Sequence, residues 1–216
     1  MDRLHKYITY PFKYEFNINI FPKYIIKKYI KTYPHNNYEL GYIYQYYYKN
    51  YNRMHEYYKQ AINSGNSYAM LCLGAYYNDI KNYDLMYIFY NMACKLNNSY
   101  AFHNLAFYYM YNVKNHDLAI QYFKRASELN NTNAMLELGR YYYNNNDYYL
   151  YDGIDYYEAA NELGNYDAMY KLGKHHEDNF YYDSMKEYYI IAIKLNNNDC
   201  ISSLQFYYKA LYKDWP

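Results

Sequence analysis

An all-α fold, a stack of about five antiparallel helix pairs closed by a last helix, is what the 216-residue sequence predicts, and three observations predict it. The first is recurrence. The stretch YYEAANELGNYDAMYKLG at Tyr156–Gly173 has counterparts starting at Tyr57, Phe89, Tyr122 and Tyr188, each with alanine four positions after its leading aromatic. The second is helical spacing: Asn36, Ala69, Ala101, Ala134, Ala168 and Cys200 are followed four residues later by Leu40, Leu73, Leu105, Leu138, Leu172 and Leu204. Residues i and i+4 share a helix face, so each pair points into the stack together. The third is the distribution of length changes. From Ala61, Ala93, Ala126, Ala160 and Ala192 to the next unit's glycine position the distance is always 13, whereas the return distance is 20, 19, 20, 21 and 19. The joint between repeats is therefore constant, and the loop inside each repeat varies.

Residues 1–35 do not fit the repeat and are expected to form a separate amino-terminal segment, with 36–216 as the repeat domain. From Lys13 to Phe21, apolar Tyr14, Phe16, Ile18 and Ile20 alternate with polar residues, the pattern of a half-buried strand. Such a strand needs a partner, for which Tyr7–Tyr10 across Pro11 is the candidate. Pro22 suits a helix start, and Lys23–Tyr33 places Tyr24, Ile25, Tyr29 and Ile30 on one face of a capping helix.

From Asn36 onward the repeat sets the register. Beside the conserved-spacing leucines stand Gly41, Gly74, Ala106, Gly139, Gly173 and Gln205. Glycine inside a helix costs roughly 1 kcal/mol relative to alanine, so four glycines at one position imply close approach of the paired helix. Gln205 implies that no second helix crosses the last one. The turns Gly65-Asn66, Asn97-Asn98, Asn130-Asn131, Gly164-Asn165 and Asn196-Asn197 use the residues that best tolerate a left-handed cap. Ser67, Ser99, Thr132 and Asp199 are expected to cap the helices that follow.

This pattern of aromatic, three residues, alanine, turn, then alanine, three residues, leucine and glycine resembles the Sel-one-like repeat, a relative of the tetratricopeptide repeat, over roughly 36–212. The resemblance implies a right-handed α-solenoid serving as a protein-interaction scaffold. It also implies that first helices line a concave groove. Positions three before, one after and four after the glycine position then select Tyr38, Tyr42, Leu71, Ala75, His103, Phe107, Leu136, Arg140, Tyr170, Lys174 and Glu177. Such a groove suits an extended or helical peptide with apolar anchors, its direction set by Arg140, Lys174 and Glu177. The competing reading is that Phe107 and Leu136 complete the core or meet the amino-terminal segment folded back over the groove. A cysteine-rich branch of the family pairs cysteines eight positions apart; Cys94 takes the first of these positions, but Phe102 stands at the second. The abundance of Tyr and Asn is similar to that of repeat proteins from giant DNA viruses.

Composition narrows the function classes. With 22 basic and 21 acidic residues the net charge is +1, which offers no overall footprint for nucleic acid or anionic membrane, and no basic stripe is expected at repeat spacing. Single-stranded RNA binding, as in pentatricopeptide arrays, and a purely structural or oligomeric role are the alternatives. The amino terminus lacks the apolar run of a secretory signal and no stretch approaches a membrane span. An intracellular, cytoplasmic protein is expected, monomeric or weakly homo-oligomeric, whose partner is an unidentified protein or peptide.

Enzymatic chemistry finds no foothold. Of seven glycines, six serve the repeat and Gly153 is the remainder, so no phosphate-cradling loop can be assembled. Cys72, Cys94 and Cys200 are expected as free thiols, with no cofactor. His175-His176-Glu177 is the one cluster that invites a metal reading, but a helical zinc pair needs i, i+4 spacing. The two histidines stand where other repeats carry tyrosine, so repeat packing is the expectation.

Overall fold

The computed structural model describes residues 21–145, 150–194 and 199–211, and among these it shows twelve α-helices and no strand. In order they are α1 (Lys23–Thr32), α2 (Asn37–Tyr46), α3 (Tyr51–Asn63), α4 (Ser67–Asp79), α5 (Tyr83–Lys95), α6 (Ser99–Tyr108), α7 (His116–Glu128), α8 (Thr132–Asn145), α9 (Leu150–Glu162), α10 (Tyr166–Asp178), α11 (Tyr182–Lys194) and α12 (Asp199–Leu211). A π turn, Tyr109–Val113, extends α6. The chain divides into two compact units, residues 1–105 and 106–216. Within the first, α2 packs on α3 and α4 on α5; within the second, α8 packs on α9 and α10 on α11. The strand expected over 13–21, its hairpin partner and the Asn196-Asn197 turn lie outside the described residues.

The joints between repeats repeat the same hydrogen bonds. Gly65, Asn97, Asn130 and Gly164 all have positive φ, between 54° and 81°. The next residue's N–H then reaches back five positions to the repeat alanine: Asn66 to Ala61, Asn98 to Ala93, Asn131 to Ala126 and Asn165 to Ala160, at 3.0 to 3.1 Å. This left-handed closure satisfies carbonyls that a helix end leaves orphaned. It also explains the constant spacing, since one extra residue would break the bond.

The capping residue is not the expected Ser or Thr but the asparagine before it. Asn66, Asn98, Asn131 and Asn165 each accept from the N–H three residues on, at 2.9 to 3.2 Å. The displaced hydroxyls do a different job. Asn98 Nδ2 donates to Ser67 Oγ at 3.1 Å, and Asn165 Nδ2 donates to Thr132 Oγ1 at 3.2 Å, one repeat back. An amide offers an acceptor for the cap and a donor for the neighbour on two separate atoms.

The glycine position meets an aromatic ring, as expected. A Cβ added to Gly41 or Gly74 would lie 2.4 Å from the ring of Tyr58 or Tyr90, and at Gly139 or Gly173 it would lie 2.5 Å from Tyr157 or Tyr189. Each tyrosine is on the second helix of the same pair and is buried. Gly153 is not a spare residue. Its added Cβ would fall 2.7 Å from the backbone N of Tyr143 and 3.0 Å from Gly139 O, so α8 and α9 touch backbone to backbone.

Variable loop length is absorbed between fixed ends. In the four repeats whose loops are described, the residue preceding the second helix donates its N–H to the aromatic three past the glycine position: Asn82 to Tyr77 and Tyr181 to His176, five residues back, but Asn50 to Tyr44 and Asn115 to Tyr109, six back. The first and third repeats fit the extra residue within the same bond, in the third case through the π turn. That same aromatic stacks on the second helix: Tyr44 on Tyr57, Tyr77 on Phe89, Tyr109 on Tyr122, Tyr142 on Tyr156 and His176 on Tyr188, with interplanar angles from 4° to 14°.

The capping helix α1 forms, but its buried face is turned from the expected one. Ile26 and Tyr29 are fully buried, Ile25 and Ile30 partly so, while Tyr24 is 69% exposed. Pro22 is the N-cap residue, one position before the helix.

Candidate functional site

The register-selected residues divide by unit. In the first, Tyr38 and Tyr42 join Ile26, Tyr29 and Met54 in one buried cluster, and Leu71 is 0% exposed. The expectation that these three project into a groove is therefore corrected: their rings and methyls complete the packing. Ala75 and His103 are half-buried, with His103 Nδ1 3.3 Å from Asn104 Oδ1.

In the second unit, Leu136 is half-buried beside Met135, Ala160 and Ala168. Tyr170 stacks near Tyr189, 5.9 Å between centroids. Lys174 Nζ lies 3.0 Å from Glu177 and 3.1 Å from Asp178, and Glu177 also accepts from the Tyr189 hydroxyl at 3.0 Å. Glu177 thus serves the glycine joint as well as the surface. Phe107, by contrast, is 46% exposed.

Phe107 stands beside a side-chain network that adjoins a cleft. Its ring centroid lies 4.3 Å from that of Tyr111. Arg140 donates to the Tyr111 hydroxyl and to Glu137 Oε2, and Tyr111 in turn donates to Glu137 at 3.3 Å. Beside this network opens a cleft of about 310 Å³ lined by Met110, Tyr111, His116, Glu137, Arg140, Tyr141 and Asn144. Arg140 was legible from register; Tyr111, Glu137 and Met110 were not. Their signal is the fifth position past one glycine site facing the residues flanking the next, a diagonal that single-repeat register does not contain.

Electrostatics keep this site in fixed protonation states. Burial and then the Glu137 carboxylate raise the Tyr111 hydroxyl above its ordinary value, so it remains a donor. Burial, the largest single influence, would lower Arg140, but Glu137 and Tyr111 together more than offset it and the net shift is upward. The arrangement presents two ring faces and a forked cation.

The other chemically suggestive groups are occupied by packing. His176 takes the stacking role of the tyrosines it replaces, and its Nδ1 is buried without a hydrogen-bond partner. His175 lies 3.3 Å from the Tyr143 hydroxyl. Cys72, Cys94 and Cys200 are buried free thiols; burial pushes Cys72 and Cys94 up to about 12, far from a reactive thiolate. Among the described residues no three metal-ligating side chains gather, and no helix is long and apolar enough to cross a membrane.

One expectation about charge is corrected. Lys49, Lys81 and Lys114 do recur at repeat spacing, each in the left-handed conformation with φ of 51°, 60° and 60°. They sit in the loops inside repeats, exposed, just before the N-cap asparagines.

No family model matches the chain, and no curated protein matches it. Solved structures do. A Sel1 repeat protein from Oxalobacter formigenes superposes with a TM-score of 0.71 at 20% identity, over 86% of this chain and 87% of that one. A protective antigen of uropathogenic Escherichia coli strains, displaying an SLR fold, gives 0.61 at 18% identity over 78% of this chain and 40% of its own. An immunity protein from Pseudomonas aeruginosa gives 0.54 at 25% identity over 70% and 60%. The chain has the fold of Sel1 repeat proteins. All three are bacterial, and none lends support to a viral source.

Proposed function

We propose that the chain is a non-catalytic scaffold that binds a protein or peptide segment at the Phe107–Arg140 cleft. The observation that carries this reading is the exposed ring pair Phe107 and Tyr111, beside an arginine held in place by Glu137. Aromatic rings and arginine are the side chains that most often dominate binding energy. The occupant is an extended or helical segment that sets an apolar side chain against the two rings. Arg140 fixes its direction, with Lys174 and Glu177 as a second polar pair further along. The fold supports this reading, since the structures it resembles are a repeat protein, an antigen and an immunity protein.

The test is quantitative capture of binding proteins from native cell extract by the parent and by Phe107→Ala with Arg140→Ala, after circular dichroism shows equal helicity. The double variant should lose its specific partners about tenfold or more. Undiminished capture would remove the cleft from the account. A second reading, single-stranded RNA binding, is favoured by Lys49, Lys81 and Lys114 at successive loops. It requires a salt-sensitive gel shift with mixed RNA that is lost when the three lysines become glutamine.

A further inference from the structure

Charge is balanced over the chain but not along it. Residues 1–105 carry twelve Lys and Arg against six Asp and Glu, and residues 106–216 carry ten against fifteen, so the halves are +6 and −5 within a total of +1. The imbalance is concentrated on two helices.

On α1, Ile26 and Tyr29 face the core, and Lys23, Lys27, Lys28 and Lys31 are all exposed on the opposite side. That helix contains no acidic residue. On α9, Gly153, Tyr157 and Ala160 face the core, and Asp152, Asp155, Glu158 and Glu162 are all exposed on the opposite side. That helix contains no basic residue. The surface cations Arg125, Arg140, Lys174 and Lys186 each sit within an ion pair, whereas none of these eight side chains does among the described residues. At 1.5 Å per residue the lysine face runs about 12 Å and the carboxylate face about 15 Å, so one can lie along the other.

We infer that the lysine face of α1 docks on the carboxylate face of α9 in a second copy of this chain. Four exposed cations and four exposed anions of matching extent are complementary to each other, and the same polypeptide supplies both. A two-fold pair forms this contact twice, and a head-to-tail series forms it once per neighbour. Exposed ion pairs are individually weak, so the association is reversible and depends steeply on salt.

Sedimentation of the full chain tests this at low and moderate ionic strength, where the Debye length falls from about 30 Å near 0.01 M to about 8 Å near 0.15 M. The parent should self-associate at low salt and return to monomer as salt rises. Lys27→Glu with Lys28→Glu should weaken association about tenfold or more, and so should Asp155→Lys with Glu158→Lys. Mixed in equal amounts, these two variants should associate again, because each then offers the face the other lacks. Helicity and melting of each variant are measured first; all four sites are exposed, so folding should be retained. A parent that stays monomeric at low salt overturns the inference. So does association indifferent to either reversal, or a mixture that fails to recover it. Binding of anionic lipid vesicles or mixed RNA by a monomeric parent, lost in the α1 variant, would assign the lysine face to that partner and also overturn it.

Discussion

In the first helix pair Gly41 lies against the ring of Tyr58, whose buried hydroxyl donates to Gln45 at 2.8 Å, and in the third pair Ala106, Phe123 and Met110 occupy the three matching positions. In the first and fifth pairs the ring carries a hydroxyl and an acceptor stands four residues past the glycine, Glu177 doing this for Tyr189. Where the ring is phenylalanine, that position is a methionine and the glycine has become alanine. The joint is therefore a set of three side chains that change together, because a buried hydroxyl without an acceptor costs about 1–3 kcal/mol. The second and fourth pairs depart from it. Tyr90 receives Asn104 Nδ2 at 3.2 Å, and Tyr157 has Tyr143 at its side, 6.1 Å between centroids.

The fourth joint offers the largest perturbation, because there the obstacle is backbone and cannot rotate away. Gly153→Ala should cost about 3 kcal/mol, the upper end of ordinary overpacking, and lower the melting temperature by roughly 6–12 °C in a chain of this size. A parent-like melt would show that α8 and α9 do not approach so closely. Gly139→Val, which meets the Tyr157 ring and Gly153 O, should cost about 1–3 kcal/mol.

Transplanting the third joint into the first sharpens the comparison. Tyr58→Phe alone strands the buried Gln45 and should cost about 1–3 kcal/mol. Combining Gly41→Ala, Tyr58→Phe and Gln45→Met should cost less than the sum of the separate changes by about 0.5–3 kcal/mol. Strict additivity in denaturant titrations would show that the three positions do not act as a set.

The asparagine joints should respond more mildly. Asn165→Ala removes both cap and link and should cost about 1–2 kcal/mol, whereas Asn165→Asp keeps the cap and should cost less. Equal losses would mean that the link to Thr132, and not the cap, carries the whole effect. The smallest effect concerns pH. Burial, then the neighbouring His175, lowers His176 from its ordinary 6.5. As pH falls through that range the unfolded chain takes up the proton first, so stability present above about 6.5 is lost on acidification. His176→Tyr, which restores the residue of the other repeats, should flatten the fall in melting temperature between pH 7 and pH 5. An unchanged slope would place the titrating group elsewhere, His55 being the other histidine lowered by burial.

Register alone located the fixed joints among the described residues, since Ala69, Ala101, Ala134 and Ala168 are all fully buried and the glycines at the repeat position, Gly41, Gly74, Gly139 and Gly173, all meet a ring. It failed where the covering group comes from another element. Tyr42 shares its register with exposed Phe107, Arg140 and Lys174, and Tyr38 and Leu71 share theirs with half-buried His103, Leu136 and Tyr170, yet all three are buried, Tyr38 and Tyr42 in one cluster with Ile26 and Tyr29 of α1. The cleft shows the same limit, for only Arg140 among its lining was selected in advance.

By itself the sequence determined the helix pairs, the turn that joins them and the aromatic stack that His176 enters. Each depends on residues a fixed few positions apart, and helical geometry turns such spacing into contact without reference to the rest of the chain. Tertiary structure alone decided that Asn98 and Asn165 also link to Ser67 and Thr132 one repeat back, that Gly153 is where two backbones meet, and that Tyr111 and Glu137 share a site with Arg140. Those outcomes rest on groups 14 to 33 residues apart, such as Gly139 and Gly153 or Thr132 and Asn165, whose approach is fixed by packing and leaves no period to read.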